Sequence, residues 1–289
     1  MKLSALFSAA LLLTACLLAP VSAAAPVAMI TDIKGKVTLV DGSRSRPATV
    51  LAYLEADNRL QLEAGSQVVL SYFTKAIEVT LSGPGEASVA TDGARVSKGA
   101  KSTQRSLDAG RIDTARKFEP MAREKLALAT VHMRSSPKPA PRPTSPVDTV
   151  IINTRPSLDW AELPSATGYR VVVRDASGMT VLDQQVAKPP LAIGADRALR
   201  AGGDYEWRVE AKLASGAVVG ADAKFSVADA GRGKAVEQSR PAADASFSER
   251  LLYAAQLESE GMREAARPLW QALARERPDE DALKRWAGE

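Results

Sequence analysis

The chain of 289 residues has one cysteine, Cys16, and one histidine, His132. A disulfide framework is therefore excluded within the chain, so its domains must hold by packing. A metal centre normally draws on three or four ligands, chiefly His, Cys, Asp and Glu. His132 has no cysteine or acidic pair beside it at metal spacing and reads as a surface or packing residue. A Ser-His-Asp arrangement would have to use that same histidine, and no Gly-x-Ser-x-Gly elbow is present. Phosphate-binding glycine patterns are missing after every predicted strand; Gly231-Arg232-Gly233 falls in a predicted linker. Aromatic residues are only 5% of the chain. Binding of single-stranded nucleic acid needs aromatics among basic residues, and Phe118 stands alone in the basic region. The reading is no catalytic residue, no cofactor, no metal and no nucleic acid.

Charge of either sign is modest, but it is unevenly placed. From Arg95 to Arg142 there are twelve Lys or Arg against four acids, so the net +4 of the whole chain conceals a remainder that is net negative. The high isoelectric point belongs to one strip, which as a partner site would suit an anionic envelope surface.

What is present begins with an uncharged run from Leu3 to Ile30. Met1-Lys2, an apolar stretch to Leu18, Pro20 and then Ser22-Ala23-Ala24-Ala25 have the layout of a secretory signal peptide over 1–25. Ordinary cleavage is expected after Ala23 or Ala24. Leu13-Thr14-Ala15-Cys16 also resembles the lipobox of bacterial lipoproteins, in which Cys16 would be acylated. An uncleaved membrane anchor is a third reading, since the run is long enough to span a bilayer. The expected location is periplasmic or secreted, with lipid anchoring through Cys16 as the alternative.

Residues 27–106 read as short strands and turns. Val37 and Leu39 alternate with Lys36 and Thr38, and Val68–Phe73, Ile77–Leu81 and Ala87–Ala90 are further candidates, broken by Gly83-Pro84-Gly85. Gly35-Lys36-Val37, Leu60, Gly65 and "VTLSGPGEASV" resemble the FecR-like domain of bacterial envelope proteins. The best-known relatives relay an iron-dicitrate signal across the inner membrane and carry a cytoplasmic segment before a transmembrane helix. Here only Met1 and Lys2 precede the apolar run, so the resemblance implies the domain rather than the relay, which is kept as an alternative.

Residues 107–149 read as a basic helix starting near Glu119-Pro120, then a spacer with five prolines between Pro137 and Pro146. Residues 150–228 return to alternation: Trp160 in an early strand, then Tyr169, Val171 and Val173, then Tyr205, Trp207, Val209 and Ala211. Pro156, Leu158, Trp160 and the spacing from Leu199 to Tyr205 resemble a fibronectin type III domain, and imply a tyrosine corner in which a phenol hydroxyl bonds upstream backbone. The fold class expected is mainly β and multidomain, closed by α-helices.

After a Gly- and Ala-rich linker over 229–245, residues 246–289 read as helices. Ser246 or Ser248 is the N-cap, Gly261 a stop, and Pro278 precedes a third helix. Ala254, Gly261, Ala266, Trp270 and Pro278 resemble one tetratricopeptide repeat; Pro268 departs from it and should kink the second helix. A lone unit leaves its stacking face uncovered. Trp270, Trp286 and Leu257 are therefore the expected docking residues, for an envelope protein partner or a second copy of the chain. The functional expectation is a non-catalytic exported envelope scaffold or adaptor; the alternative is a cell-wall glycan hydrolase or its accessory subunit, with two facing acids in a β-domain.

Overall fold

The computed structural model describes residues 25–107, 113, 116–122, 124 and 140–288. The leader with Cys16, His132, most of the basic helix and the first two prolines of the spacer lie outside them. No helix among the described residues is long and apolar enough to cross a membrane.

The fold is mainly β and multidomain, with antiparallel sheets followed by C-terminal helices. The first ten strands are β1 (Ala28–Lys34), β2 (Val37–Asp41), β3 (Arg44–Pro47), β4 (Tyr53–Leu54), β5 (Arg59–Leu62), β6 (Gln67–Tyr72), β7 (Ile77–Ser82), β8 (Gly85–Ala90), β9 (Gly93–Ser97) and β10 (Lys101–Ser106). They form two five-stranded sheets, β10-β7-β6-β1-β4 and β3-β2-β5-β8-β9. Alternation decides the inner face: in β5, Leu60 and Leu62 are buried while Arg59 and Gln61 are exposed. Gly35 takes φ +73° in the turn from β1 to β2, and a Cβ there would meet Ser66 Cα at 3.0 Å. Strand β1 departs from alternation, with Ala28 to Ile33 all buried. Both its faces are covered.

A helix α1, described over 116–122, follows. The second β-domain starts earlier than the sequence pattern implies. Its strands are β11 (Arg142–Ser145), β12 (Thr149–Ile151), β13 (Ser157–Ala161), β14 (Ala166–Asp175), β15 (Thr180–Val186), β16 (Leu191–Ala192), β17 (Asp204–Leu213) and β18 (Val218–Val227). They form a β-sandwich of a three-stranded sheet, β11-β13-β16, and a five-stranded sheet, β12-β18-β17-β14-β15. The boundary expected at 150 is thus corrected to Arg142: β11 carries two of the spacer prolines with it, Pro143 within the strand and Pro146 just after, and pairs with β13. Proline is tolerated there because β11 is an edge strand. Leu158, Trp160, Val171, Val173, Trp207 and Val209 fill the core. The Tyr205 hydroxyl accepts from Arg200 N at 2.8 Å and donates to Arg200 O at 3.3 Å.

The expected linker 229–245 contains helix α2 (Ala230–Gln238), capped by Asp229, whose side chain accepts from Arg232 N. Then come α3 (Phe247–Ser259), α4 (Arg263–Glu276) and α5 (Asp281–Ala287). Ser246 is the N-cap of α3, in a reciprocal capping box with Glu249. Helix α4 continues through Pro268.

The buried residues form two clusters rather than three. One joins the first β-domain, Phe118 and the C-terminal helices; the other is the sandwich alone.

Candidate docking surfaces

The expected docking residues lie inside the molecule. Trp270 is fully buried, Leu257 nearly so, and Trp286 is 7% exposed. Trp286 packs 4.7 Å from Phe118 and 5.4 Å from Trp270, ring centroid to centroid. The Trp270 indole N–H donates to Glu258 at 3.2 Å. The assignment of Trp270, Trp286 and Leu257 as surface contacts is therefore corrected: the stacking face of the helical unit is covered by this chain's own α1 and β1. Phe118, which looks isolated in the sequence, is part of that cover.

The cover is built from polar groups on the outer face of the first sheet. Register places Met29, Ser71, Glu78 and Arg105 in one row across β1, β6, β7 and β10. Ser248 on α3 donates to Glu78 at 2.5 Å and lies 2.9 Å from the Thr31 hydroxyl. Arg105 pairs with Glu78 at 2.6 Å and with Glu249 at 3.3 Å. After α4, Arg277 grips Asp32 with two bonds of 3.0 Å and lies 4.5 Å over the Phe247 ring. Glu280 accepts from Val50 N at 2.9 Å. Burial pushes the Asp32 and Glu280 carboxyls above their ordinary values, against the pull of Arg277 on both. The Ser246 bonds of the capping box and the charge of Arg105 hold Glu249 low despite its partial burial, and Arg250 holds Glu276 low.

The same helices also hold the sandwich. Gly261, at φ +71° between α3 and α4, offers its carbonyl to Val150 N at 2.9 Å. Glu264 at the start of α4 accepts from Val147 N at 2.9 Å and from Ser145 Oγ at 2.8 Å. Arg232 of α2 pairs with Glu260.

Of the basic strip, Lys98 is paired with Glu86, Arg105 with Glu78, and Arg116 donates to the Phe73 carbonyl at 2.7 Å. Arg95, Lys101, Lys117 and Arg142, also in its described part, are exposed. No group of His, Cys, Asp and Glu able to hold a metal exists among the described residues.

A cleft of about 600 Å³ opens where the sandwich meets the α3–α4 turn, lined by Asp148, Arg174, Asp175, Asp204, Glu206 and Arg263 among others. Three of its four acids have partners within the chain. Asp204 accepts from Ser226 at 2.6 Å, and Asp175 accepts from Ser177 and Met179 N, the Ser177 bond holding it below its usual value. Glu206 lies 4.0 Å from Lys224. The outer sheet face beyond is a ladder of alternating charge, three acids and two bases, running Asp183, Arg170, Glu210, Arg208, Asp222.

Sequence reasoning missed Asp32, Ser248, Glu264, Arg277 and Glu280. Only the acid at 280 and the base at 277 beside a helix end carried any signal, and that signal suits solvent equally well.

No protein family model matches the chain, and no curated protein matches it. Among solved structures, CopC from Methylosinus trichosporium OB3b aligns over 31% of this chain and 95% of its own, at 16% identity and TM-score 0.24. The twitchin kinase region from C. elegans aligns over 32% of this chain and 17% of its own, at 22% identity and TM-score 0.24. The chicken CNTN1 FN1-FN3 domains align over 70% of this chain and 55% of their own, at 12% identity and TM-score 0.23. Likeness at this level carries no functional argument.

Proposed function

We propose that the chain is a non-catalytic, exported adaptor of a bacterial envelope, made of a FecR-like β-domain, a fibronectin type III-like sandwich and a tetratricopeptide-like helical unit. The observation that carries this reading is the use made of the helices. They are bonded on one side to Asp32, Glu78 and Val50 of the first domain. On the other they hold Val147 and Val150 of the sandwich. An element committed at both sides holds two β-domains at a set separation, which is what presentation of surfaces requires.

The ionisable groups favour this over hydrolysis. A general acid needs a raised pKa in a substrate-accessible cleft. Among the described residues the carboxyls pushed up are Asp32 and Glu280, and both are spent on contacts between elements. The leader's composition supports export.

The test is crosslinking in cells with the full chain, followed by identification of captured proteins, beside a peptidoglycan hydrolysis assay. Specific capture and no hydrolysis are expected. Hydrolysis lost on substitution of Asp204 or Glu206 would overturn the reading.

A further inference from the structure

Four sheets among the described residues have eight edge strands. An edge presents unpaired N–H and C=O groups, and proteins guard such rows with charge, proline, brevity or cover. Seven of the eight carry Lys, Arg or Pro, are only two residues long, or are covered. Strand β3 carries Arg44, Arg46 and Pro47, β10 carries Lys101 and Arg105, β9 carries Arg95, and β11 carries Arg142 and Pro143. Strands β4 and β16 are two residues long. Strand β12 is covered by the α3–α4 turn through Val150 N and Gly261 O.

Strand β15 is the exception. It runs seven residues, Thr180–Val186, with no Lys, Arg or Pro, about 23 Å of strand at ~3.3 Å per residue. Only β14 pairs with it. Its single charge, Asp183, is bound by Arg170 at 2.6 and 2.9 Å, yet its side chain stays 42% exposed. Beside its start lies a cavity of about 750 Å³ whose lining joins Met179, Val181, Leu199 and Tyr205 to charged residues such as Asp196 and Arg197. Met179 is 63% exposed, the most of any large apolar side chain described.

We infer that β15 receives an extended segment of a partner protein as an added strand. This rests on the adaptor reading and names its surface. A second copy is the poorer occupant: two seven-residue edges meeting side by side bury far less than the ~800 Å² per partner that stable interfaces use. An unfolded segment pairs with the edge and also reaches the cavity, and main-chain bonds supply its affinity. Its side chains alternate. Those on the side of Leu182 and Val186 are apolar, because these residues border the sandwich core. The one opposite Asp183 is basic, to meet the strand's only charge.

The probe is a labelled synthetic peptide, acetyl-Thr-Val-Lys-Val-Thr-Val-Thr-amide, titrated against the full chain by fluorescence anisotropy. Saturable binding is expected, with at least a tenfold loss in the Asp183→Lys variant. Two further peptides, N-methylated at the odd or at the even residues, test the pairing itself and need no variant to fold. Donors alternate along a strand, so one should lose binding tenfold or more while the other keeps it. Absence of saturable binding, or equal behaviour of the two methylated peptides, overturns the inference. So does a dimer in sedimentation that Asp183→Lys dissolves, which would make the occupant a second copy. If Asp183→Lys captures the same partners in cells as the native chain, this surface is wrong and the adaptor reading stands. If the native chain captures none, the adaptor reading itself fails.

Discussion

The two β-domains solve the same burial problem in opposite ways. The sandwich closes on itself: Trp160, Trp207, Tyr169 and their neighbours form a cluster that no helix enters. The first domain does not. Its cluster runs from Met29 and Leu70 through Phe118 to Trp270 and Trp286. Two sheets of five strands cover each other's inner faces, and the helices extend the same apolar cluster on the outer face of the first sheet. There the helices also bury Thr31, Asp32, Ser71 and Glu78. Buried polar groups must find partners: Ser71 meets Thr31 within the sheet, while Thr31 and Glu78 also meet Ser248 on α3 and Asp32 meets Arg277 just after α4. A domain can therefore depend on a distant segment through hydrogen bonds as much as through hydrophobic contact.

The largest test removes residues 246–289. The first domain should lose its cooperative melting transition in calorimetry while the sandwich keeps its own. Two unchanged transitions would show that the clusters are independent. Next come single indoles. Trp270→Ala should cost about 3–5 kcal/mol and Trp207→Ala a similar amount, each in a different transition; Trp160→Ala belongs with the second. Loss of both transitions from one substitution would erase the comparison. Arg277→Ala leaves Asp32 buried without its partner and should cost about 3 kcal/mol, partly restored by adding Asp32→Asn. Gly261→Ala puts a Cβ 3.1 Å from Val150 at φ +71°, and should cost about 1 kcal/mol or somewhat more. Its mark is separation of the two transitions rather than loss of either.

The smallest effect is one of pH. Glu280 has its folded pKa raised, chiefly by burial, so the folded state holds that proton more tightly than the unfolded one. Its ionisation weakens folding at neutral pH, and stability returns as pH falls through the folded value toward the unfolded one. Glu280→Gln should therefore melt at or above the native temperature at pH 7, and the gap should narrow on mild acidification. Glu249 and Glu276 have folded values below their ordinary ones. Their contribution is present above the unfolded carboxylate range and is lost as pH falls through the folded values. A Glu280→Gln gap that widened between pH 7 and 5 would contradict the raised carboxyl that burial gives Glu280.

Much of this was legible in the residues themselves. Strand alternation in Val37–Leu39, Tyr169–Val173 and Tyr205–Ala211 reflects which face is dry, and Gly261 marks a true stop. The destination of the helices was not legible. Thr31, Ser71 and Glu78 alternate with apolar residues as any solvated face does, and Asp32 meets a partner 245 positions away. Trp270 and Trp286 declared themselves apolar without declaring their cover. The β11 strand was readable as extended, since polyproline and β geometry share one backbone region, but pairing with β13 was not. Helix α2 carries two glycines and forms on its Asp229 cap and on Val236, which is 1% exposed.

The join between the first and last elements also sets an order of events as the chain is made. A ribosome releases Met29 and Leu70 some two hundred residues before Trp270 and Trp286, and domains fold as their residues emerge. The sandwich, second along the chain, has all it needs once Val227 is out. The first domain must wait, with Asp32 and Glu78 still in contact with water, until Arg277 and Ser248 arrive. Its completion is thus a report that the final helices were synthesised, and a chain cut short before them leaves an unfinished sheet face open to proteolysis.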